Sequence, residues 1–425
     1  MRVTKSKAGA MQMVVFVAAI IAILLLSFVL LNYVHITFSK KTARMIDLIE
    51  RANLIVQLHL LNKDSKLKET LNWLEEDGIK SEINSGQWGV FGLLQVNTSF
   101  RRERYTKIVL TGGMLEKETA LFLQDKDHPL ILVGNSKIIG DAYLPRRGFR
   151  EGSIAGESHY GNVTLSGRSE VSTAMLPKFG FDIFNEVMNL KALANKNSSQ
   201  IKESDTIRHL FNSFKNPAMV IESDLAGLKN KSFSGNILIF NNQEIEIDST
   251  VQLNDVILVA PKITLKEGVK GSFQAIATTT INVENNCHLD YPSALLLLKN
   301  TDTFYDIPSD RNPQNSNITI ENHSTVNGFV GAFENSYSNK ESHHSLIKLS
   351  RLATVNGQVY CEKDLELLGS VSGNVTTGSF ISKVQGNLYL NHLYHGAINA
   401  ELLTTEFVGP LMENSEKKGL VKWLY

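Results

Sequence analysis

Few residues of this sequence combine the type and the spacing that chemistry requires. The densest acidic cluster is Asp302, Asp306 and Asp310, in the segment TDTFYDIPSDRNP. Paired carboxylates can act as general acid and base or bind calcium, but a calcium loop alternates its acidic ligands and this segment does not. Its two prolines and its polarity predict a solvated, protruding loop.

The other candidates for chemistry are isolated. His343–His344 is a bare pair without the further ligands that a metal site needs. Tyr291–Ser293 predicts a strand end and a turn, and Ser293 has no neighbouring base to activate it. Arg146–Gly148 predicts an exposed turn, which either contacts a partner or has no role. The sequence therefore predicts a protein that is not an enzyme, with no catalytic, cofactor-binding or metal-binding residues.

Composition narrows the function classes further. The 425 residues are enough for a large core and for two or three domain-sized blocks. The 43 basic and 43 acidic side chains cancel, so no global field attracts nucleic acid. Cys287 and Cys361 are too few for a disulfide framework and are not spaced as a metal site. We interpret both as buried small residues, and a single bridge between them stays open.

The N-terminus contains an uncharged apolar run from Ala8 to Val34. It is long enough to span a bilayer. A cleaved secretory signal is shorter and ends in small residues, whereas Asn32–His35 follows here. The run therefore predicts an uncleaved, single-pass membrane anchor. Basic residues flank both sides, and the short tail before the span favours a cytoplasmic N-terminus with the bulk of the chain outside.

The helix of the anchor is predicted to continue as an amphipathic helix. Its apolar residues recur at helical spacing: Met45, Leu48, Ile49, Ala52, Ile55, Val56 and Leu60. Ahead of the apolar run stands a short basic leader that ends at Gly9 and is followed by Ala10.

This arrangement resembles the N-terminus of type IV minor pilin-like proteins. The resemblance implies cleavage between Gly9 and Ala10, and packing of the long helix in a filament core. Most such proteins carry a glutamate five residues after the cut, where this chain has Val14. An ordinary signal anchor followed by a juxtamembrane helix is the alternative.

After a predicted second helix at residues 65–84, β-branched and aromatic residues dominate from Gly86 onward. A five-residue phrase then recurs, in which an apolar residue, any residue, glycine and any residue precede an apolar or small one. Its glycines are Gly140, Gly156, Gly235, Gly271, Gly328, Gly357, Gly373 and Gly386. Short alternating runs lie between them: IEID, KITL, TINV, NITI, LIKL, LELL and NLYL.

These repeats predict a mainly β fold in which an N-terminal transmembrane helix precedes a parallel β-solenoid, a right-handed β-helix. Alternation places every second side chain on one face, and stacked rungs bury these faces in one apolar column. A β-sandwich is the alternative.

A helical insertion is predicted from Phe181 to Phe214. Its two apolar stripes are Phe184, Val187, Met188, Leu190 and Leu193, and then Leu210, Phe211 and Phe214.

The segment from Ile318 to about Leu402 resembles bactofilin-like and other bacterial β-helix repeats. The resemblance implies self-assembly through open rungs and no catalytic chemistry. Bactofilins are usually smaller and face the cytoplasm, and this chain differs from them in its size and its predicted anchor.

The chain is predicted to have six regions. They are a membrane anchor with its amphipathic extension (1–62), a helix plus β entry region (63–135), first solenoid rungs (136–180), the helical insertion (181–230), the main β-solenoid (231–405) and a C-terminal tail (406–425).

Two functional hypotheses follow. We favour a structural protein of the bacterial cytoplasmic membrane, with its bulk in the periplasm or outside the cell. Its expected partners are the bilayer and either copies of itself or components of a pilus or secretion assembly; neither a cofactor nor nucleic acid is expected. The alternative is a carbohydrate-binding or polysaccharide-processing β-helix protein. It predicts a line of aromatic residues, but the candidates Phe304, Tyr305, Tyr337 and Tyr360 do not recur in register with the glycines.

Overall fold

The computed structural model describes residues 8–61, 78–115, 119–161, 164–196, 208–222, 227–299, 317–334, 343–413, 415 and 417–424. The fold is mainly β, with one long N-terminal helix. Contacts divide the chain into two units. Unit 1 comprises residues 1–83 and 96–107, and unit 2 comprises residues 84–95 and 108–425.

Unit 1 is dominated by helix α1, Ala8–Leu61, which is 54 residues long. Its most apolar window has a mean hydropathy of 3.3, and none of that window is buried. The helix is therefore long and apolar enough to cross a membrane. Its second half is amphipathic as predicted, because Leu48, Ala52, Ile55 and Val56 are all buried.

The second half of α1 is held by specific contacts within unit 1. The hydroxyl of Thr98 donates to the carbonyl oxygen of Leu48 over 3.0 Å. The guanidinium of Arg44 lies 3.7 Å from the ring centroid of Phe100, a cation–π contact. Lys107 donates to the side-chain oxygen of Asn53. One half of the helix is thus packed, while the other half is exposed.

Three long strands follow the helix: β1 (Lys80–Trp88), β2 (Phe91–Phe100) and β3 (Glu103–Met114). In unit 2, the end of β3 pairs antiparallel with Val408–Gly409 and with Lys418–Trp423. The helix predicted at residues 65–84 is wrong over Lys80–Asn84, which belong to β1, and residues 62–77 lie outside the described residues. Exposure alternates from Lys80 to Asn84, as expected for a strand with one covered face.

Unit 2 contains a large parallel sheet, whose strands we group into numbered layers, each hydrogen-bonded to the next. Layer one comprises His209–Asn212, Met219–Glu222 and Gly227–Leu228; layer two Ser232–Phe240 and Glu244–Ile247; layer three Gln252–Leu265; layer four Lys270–Val283; layer five His288–Lys299 and Asn317–Ile320; and layer six Thr325–Glu334 and Ser345–Leu349. Layer seven is Thr354–Leu367, and layer eight comprises Ser370–Val384 and His392–Tyr394.

The later layers are shorter and return to an earlier part of the chain. Layer nine comprises Ala397–Asn399, Thr119–Leu123 and Leu130–Val133; layer ten Lys137–Ile139, Asp141–Leu144 and Phe149–Glu151; and layer eleven Leu165–Ser166 and Ser169–Val171. Two antiparallel hairpin strands, Ser153–Ile154 and Glu157–Ser158, pair with each other, and Asn387–Leu390 pairs back on layer eight. A 3-10 helix spans Ala400–Leu402.

The alternating runs of the sequence stack in register, one layer upon the next. One column of facing residues is Ile245, Ile263, Ile281, Ile318, Ile347 and Leu365. All six side chains are essentially inaccessible to solvent. Burying a side chain of this size contributes about 1.5–3 kcal/mol, so the column is a main source of cohesion. NLYL is the exception, since it forms an antiparallel hairpin with Ile381–Val384.

Layer nine is a composite of two distant chain segments. Ala397–Asn399 pairs with the start of Ser370–Val384, and Thr119–Leu123 pairs further along the same strand. Layers ten and eleven, formed by residues 137–171, stack beyond it. The region at 136–180 therefore follows the C-terminal layers in space although it precedes them in sequence.

Helix α2, Ile183–Lys196, confirms the first part of the predicted helical insertion. The second stripe is wrong, because Leu210 and Phe211 lie in a strand of layer one. Pairing with Phe233 and Ser234 of layer two overrides the helical spacing there. Residues 197–207 lie outside the described residues.

Two apolar clusters hold unit 2 together. The first lies inside the layers and contains the stacked columns. The second covers one outer face, where Ile183, Val187 and Leu190 of α2 join aromatic residues of the layers. In it, Phe179 lies 4.9 Å from Tyr360 and 5.2 Å from Phe333 between ring centroids. One outer face of the parallel sheet is therefore shielded from water.

Candidate functional site

The repeat glycines form a tight corner in the central layers, which we call the glycine corner (Gly328, Gly357 and Gly373). The three lie directly above one another in layers six, seven and eight. A Cβ atom at Gly357 would overlap the carbonyl oxygen of Gly328, and its φ of 149° disfavours other residues. Glycine is required here because backbone packs on backbone.

The other glycines of the phrase have varied surroundings. Gly235 faces Asn212 and Gly271 faces Leu253 in adjacent layers, and the amide of Gly140 donates to Ser166. Gly156 and Gly386 instead follow Ala155 and Gln385 in two-residue hairpin turns, with φ positive at both positions of each turn. That geometry is typical of type I′ turns.

A second corner gathers buried and half-buried polar and charged side chains together with the exposed His343, and we call it the charged corner (Lys299, Glu334, His343, His344, Glu362, Asp364 and Ser379). The ammonium of Lys299 lies 3.2 Å from a carboxylate oxygen of Glu334, and their side chains are 4% and 11% exposed. Lys299 also contacts the Nε2 atom of His344. Such a pair can be tolerated away from water because each charge has its counter-charge.

The carboxylates of the charged corner are engaged by neighbouring layers. A carboxylate oxygen of Glu362 accepts from the backbone N–H of Glu334 over 2.8 Å. Burial raises the pKa of Glu362, and that hydrogen bond partly opposes the shift. Asp364 binds the Nδ1 atom of His343 at 3.2 Å and accepts from the hydroxyl of Ser379.

The Asp364–His343 contact orients the imidazole as a carboxylate orients a general-base histidine. However, the hydroxyl of Ser379 binds Asp364 and not His343, so these residues do not form a serine–histidine relay. His343 and His344 engage different partners and do not converge as a pair of metal ligands. The geometry of the charged corner is that of a satisfied ion-pair network joining layers five to eight.

A third corner is open to solvent, and we call it the polar corner (Glu267, Asn285, Asn286, Asn322, His323, Arg351 and Leu352). These residues line a cleft of about 560 Å³. Asn286 and His323 have left-handed backbone, with φ of 60° and 62°. Backbone hydrogen bonds link its turns: the N–H of Asn286 donates to Asn322, and the N–H of His323 donates to Leu352.

The same edge continues into layers eight to eleven. There Glu157 accepts a hydrogen bond from the hydroxyl of Tyr394 over 2.6 Å and lies 3.3 Å from Nε2 of His395. The hydrogen bond from Tyr394, followed by the charge interaction with His395, holds the pKa of Glu157 below its usual value. The charge of Arg351 adds to this effect.

The remaining candidates from the sequence are structural or lie elsewhere. Tyr291–Ser293 lies inside a strand at a register shift and not at its end. The buried hydroxyl of Ser293 donates to Asp290 and accepts from Phe273. Arg147 forms a two-bond ion pair with Asp127 on the exposed turn of the preceding layer. The acidic cluster at Asp302, Asp306 and Asp310 lies outside the described residues.

Cys287 and Cys361 are both free and buried, which confirms the interpretation of both as buried small residues. Burial raises the pKa of each thiol, so neither is a reactive thiolate. Gly9 and Ala10 lie in the first turns of α1 and are exposed. Of the aromatic candidates, Tyr360 is buried and donates to the carbonyl oxygen of Pro177; the other three lie outside the described residues.

Sequence reasoning did not find the polar corner. Its residues come from four separate turns, and each turn alone has the composition of an ordinary loop. The available signal was the recurrence of Asn and His where a rung needs left-handed backbone.

Comparison of the chain with protein-family models, curated proteins and solved structures finds no match. The resemblances to bactofilin-like repeats and minor pilins therefore stay predictions.

Proposed function

We propose that this chain is a non-enzymatic, membrane-anchored structural protein of bacteria. In this proposal α1 is the single transmembrane anchor, and unit 2 is a right-handed β-solenoid displayed on the periplasmic or extracellular side of the cytoplasmic membrane. The stacked parallel layers support the solenoid. The exposed apolar half of α1 supports the anchor, since a surface of this size in water would promote aggregation.

The observation that carries the proposal is the division of α1 into two halves. The first half exposes apolar side chains around its whole circumference, and the second packs an apolar stripe in unit 1. A helix that is apolar on all sides needs a lipid or protein environment. The same division favours a minor pilin-like component of a pilus or secretion assembly, where one half of the helix is inserted and the other carries the folded part.

Self-association through the ends of the layers has less support. Layer eleven ends in Ser169–Val171, a short strand that exposes the charged Glu170. Short, charged edge strands discourage pairing with another chain. We therefore assign the assembly role to α1 and a display role to the layers.

The first test is the mature N-terminus of the protein from bacterial membranes, measured by mass spectrometry. A chain that begins at Ala10 supports processing by a leader peptidase and the pilin-like role. A chain that retains Met1 supports a fixed signal anchor and contradicts the pilin-like role. Recovery of the intact chain in the soluble fraction would contradict both.

The second test measures orientation with a membrane-impermeant maleimide. Arg147→Cys introduces a thiol on an exposed turn, whereas the native cysteines are buried. Labelling of this variant in spheroplasts, with the parent chain as control, is expected. Labelling only in inverted vesicles would show that the layers face the cytoplasm.

A further inference from the structure

The polar corner has the features of a binding site and not only of a stack of turns. Its cleft of about 560 Å³ lies in the size range of small-molecule sites. Glu267, Asn285, Asn286, His323 and Arg351 are all exposed along it. By contrast, the described residues of the glycine and charged corners contact one another or the backbone, whereas the polar corner has an open cleft.

Backbone geometry directs these side chains outward. The left-handed backbone of Asn286 and His323 turns the chain sharply, while Cys287 and Ser324, the next residues, are buried beneath them. The inward hydroxyl of Ser324 donates to the carbonyl oxygen of Glu284 and accepts from the N–H of Cys287. The turns are therefore fixed from below, which presents the outer polar groups at low entropic cost.

The chemistry of the lining favours a neutral, hydroxyl-rich ligand. Asn285, Asn286 and Asn322 each carry an amide that can both donate and accept. The amide of Asn286 already donates to Glu267 over 2.8 Å, and that of Asn322 accepts from the N–H of Leu352 over 3.2 Å, so each keeps further hydrogen-bonding capacity for a ligand. The carboxylate of Glu267 and the guanidinium of Arg351 have opposite charges, so the cleft has no excess of one sign. Hydroxyl groups match such a surface, because each can donate to one side chain and accept from another.

The cleft is also extended and repetitive. Its residues come from turns between consecutive layers, which are about 4.8 Å apart. That rise is close to the length of one sugar unit in an extended glycan. Further along the same edge lie Tyr394, His395 and Tyr160; the ring centroid of Tyr160 is 6.4 Å from that of His395, and Tyr160 is 61% exposed. An exposed aromatic ring supplies a flat apolar surface for the face of a sugar ring.

We propose that the polar corner binds an unbranched, neutral glycan that lies along the stacking direction of the layers. In this complex the amides and Arg351 bind hydroxyl groups, and Tyr160 packs against a sugar ring at one end. This proposal goes beyond the structural role proposed above. The two can fail separately, because membrane anchoring does not depend on glycan binding.

Isothermal titration of the full chain in detergent micelles tests the proposal. The probes are cellohexaose and chitohexaose, with their disaccharides and with hexagalacturonate as the acidic comparison. We expect at least one neutral hexasaccharide to bind, more tightly than its disaccharide because more layers engage it. We expect Arg351→Ala and Asn285→Ala each to weaken that binding at least tenfold.

Arg147→Ala is the matched control, since Arg147 is an exposed arginine on a different turn. It should bind the hexasaccharide like the parent chain. Failure of both neutral hexasaccharides to bind, or tighter binding of hexagalacturonate, would overturn the proposal. Equal affinities of Arg351→Ala, Asn285→Ala and Arg147→Ala would place any binding elsewhere and would overturn it as well.

Discussion

The charged corner lies where the chain bends within layers five to eight, whereas the polar corner lies where the chain passes from one layer to the next, and the two corners differ in how their side chains are engaged. At the charged corner each named acid lies against a base, a backbone amide or a hydroxyl. At the polar corner Asn286 donates to Glu267 and Asn322 accepts from the N–H of Leu352, but these side chains also line an open cleft. The difference indicates that the first corner stabilises the stack, whereas the second leaves polar groups for a ligand.

The largest expected effect comes from breaking the charged corner. Glu334→Ala leaves the ammonium of Lys299 buried without its carboxylate, and removal of one partner of a buried pair costs about 3–5 kcal/mol. We expect a clearly lower midpoint of thermal unfolding for the full chain. The control is Lys299→Met with Glu334→Leu, which removes both charges and should regain most of the loss. An unchanged midpoint for Glu334→Ala would show that this pair does not support the layers.

The glycine corner provides the next largest effect. Gly357→Ala forces a Cβ atom against the carbonyl oxygen of Gly328, and we expect a loss of about 3 kcal/mol. Gly386→Ala is the matched substitution in the hairpin, where space is open and only the left-handed φ of 79° is costly, at about 1 kcal/mol. Calorimetry of both variants makes the comparison. Equal losses would contradict close packing at the glycine corner.

Gly357 and Gly386 also show which features of the fold could be predicted from the sequence. The runs from IEID to LELL indicated parallel stacking correctly, because alternation is a local property that each strand carries. The same glycine phrase occurs in a layer and in a hairpin. The phrase alone therefore does not predict which of the two geometries forms, because the neighbouring strands determine it. Gly386 lies in a turn because Ile381–Val384 pairs antiparallel with the residues that follow it.

Two other features were beyond local reasoning. Layer nine combines Thr119–Leu123 with Ala397–Asn399, and no spacing within either segment reveals the other. The charged corner combines Lys299, Glu334 and Asp364, which are far apart in sequence and lie together only once layers five to seven are in register. By contrast, the amphipathic half of α1 follows from a simple periodicity and was predicted correctly.

The pH dependence of stability tests the charged corner further, and its expected effect is smaller than that of the glycine substitution. Burial raises the pKa of Glu362, so the folded chain retains this proton at pH values where the unfolded chain has lost it. Stability from the protonated carboxyl is therefore full below the unfolded pKa and is lost as pH rises through the raised value. Each pKa unit of difference corresponds to about 1.4 kcal/mol.

Glu362→Gln should remove that dependence and keep an oxygen for the N–H of Glu334. We expect the variant to gain thermal stability over the parent chain as pH rises from about 4 to 8, a range that starts near the ordinary pKa of a glutamate. Glu170→Gln, on an exposed strand, is the control and should follow the parent. A constant difference across this range would contradict a raised pKa for Glu362.

The smallest expected effect on stability belongs to the polar corner. Arg351→Ala removes an exposed side chain, and surface substitutions of this kind stay within about 0.5 kcal/mol. Its midpoint of thermal unfolding should match that of Arg147→Ala. A large loss would mean that Arg351 stabilises the stack as the charged corner does, and the contrast between the two corners would fail. An unchanged midpoint together with weaker glycan binding would separate folding from recognition, because the same substitution would leave the layers intact and alter only the surface they display.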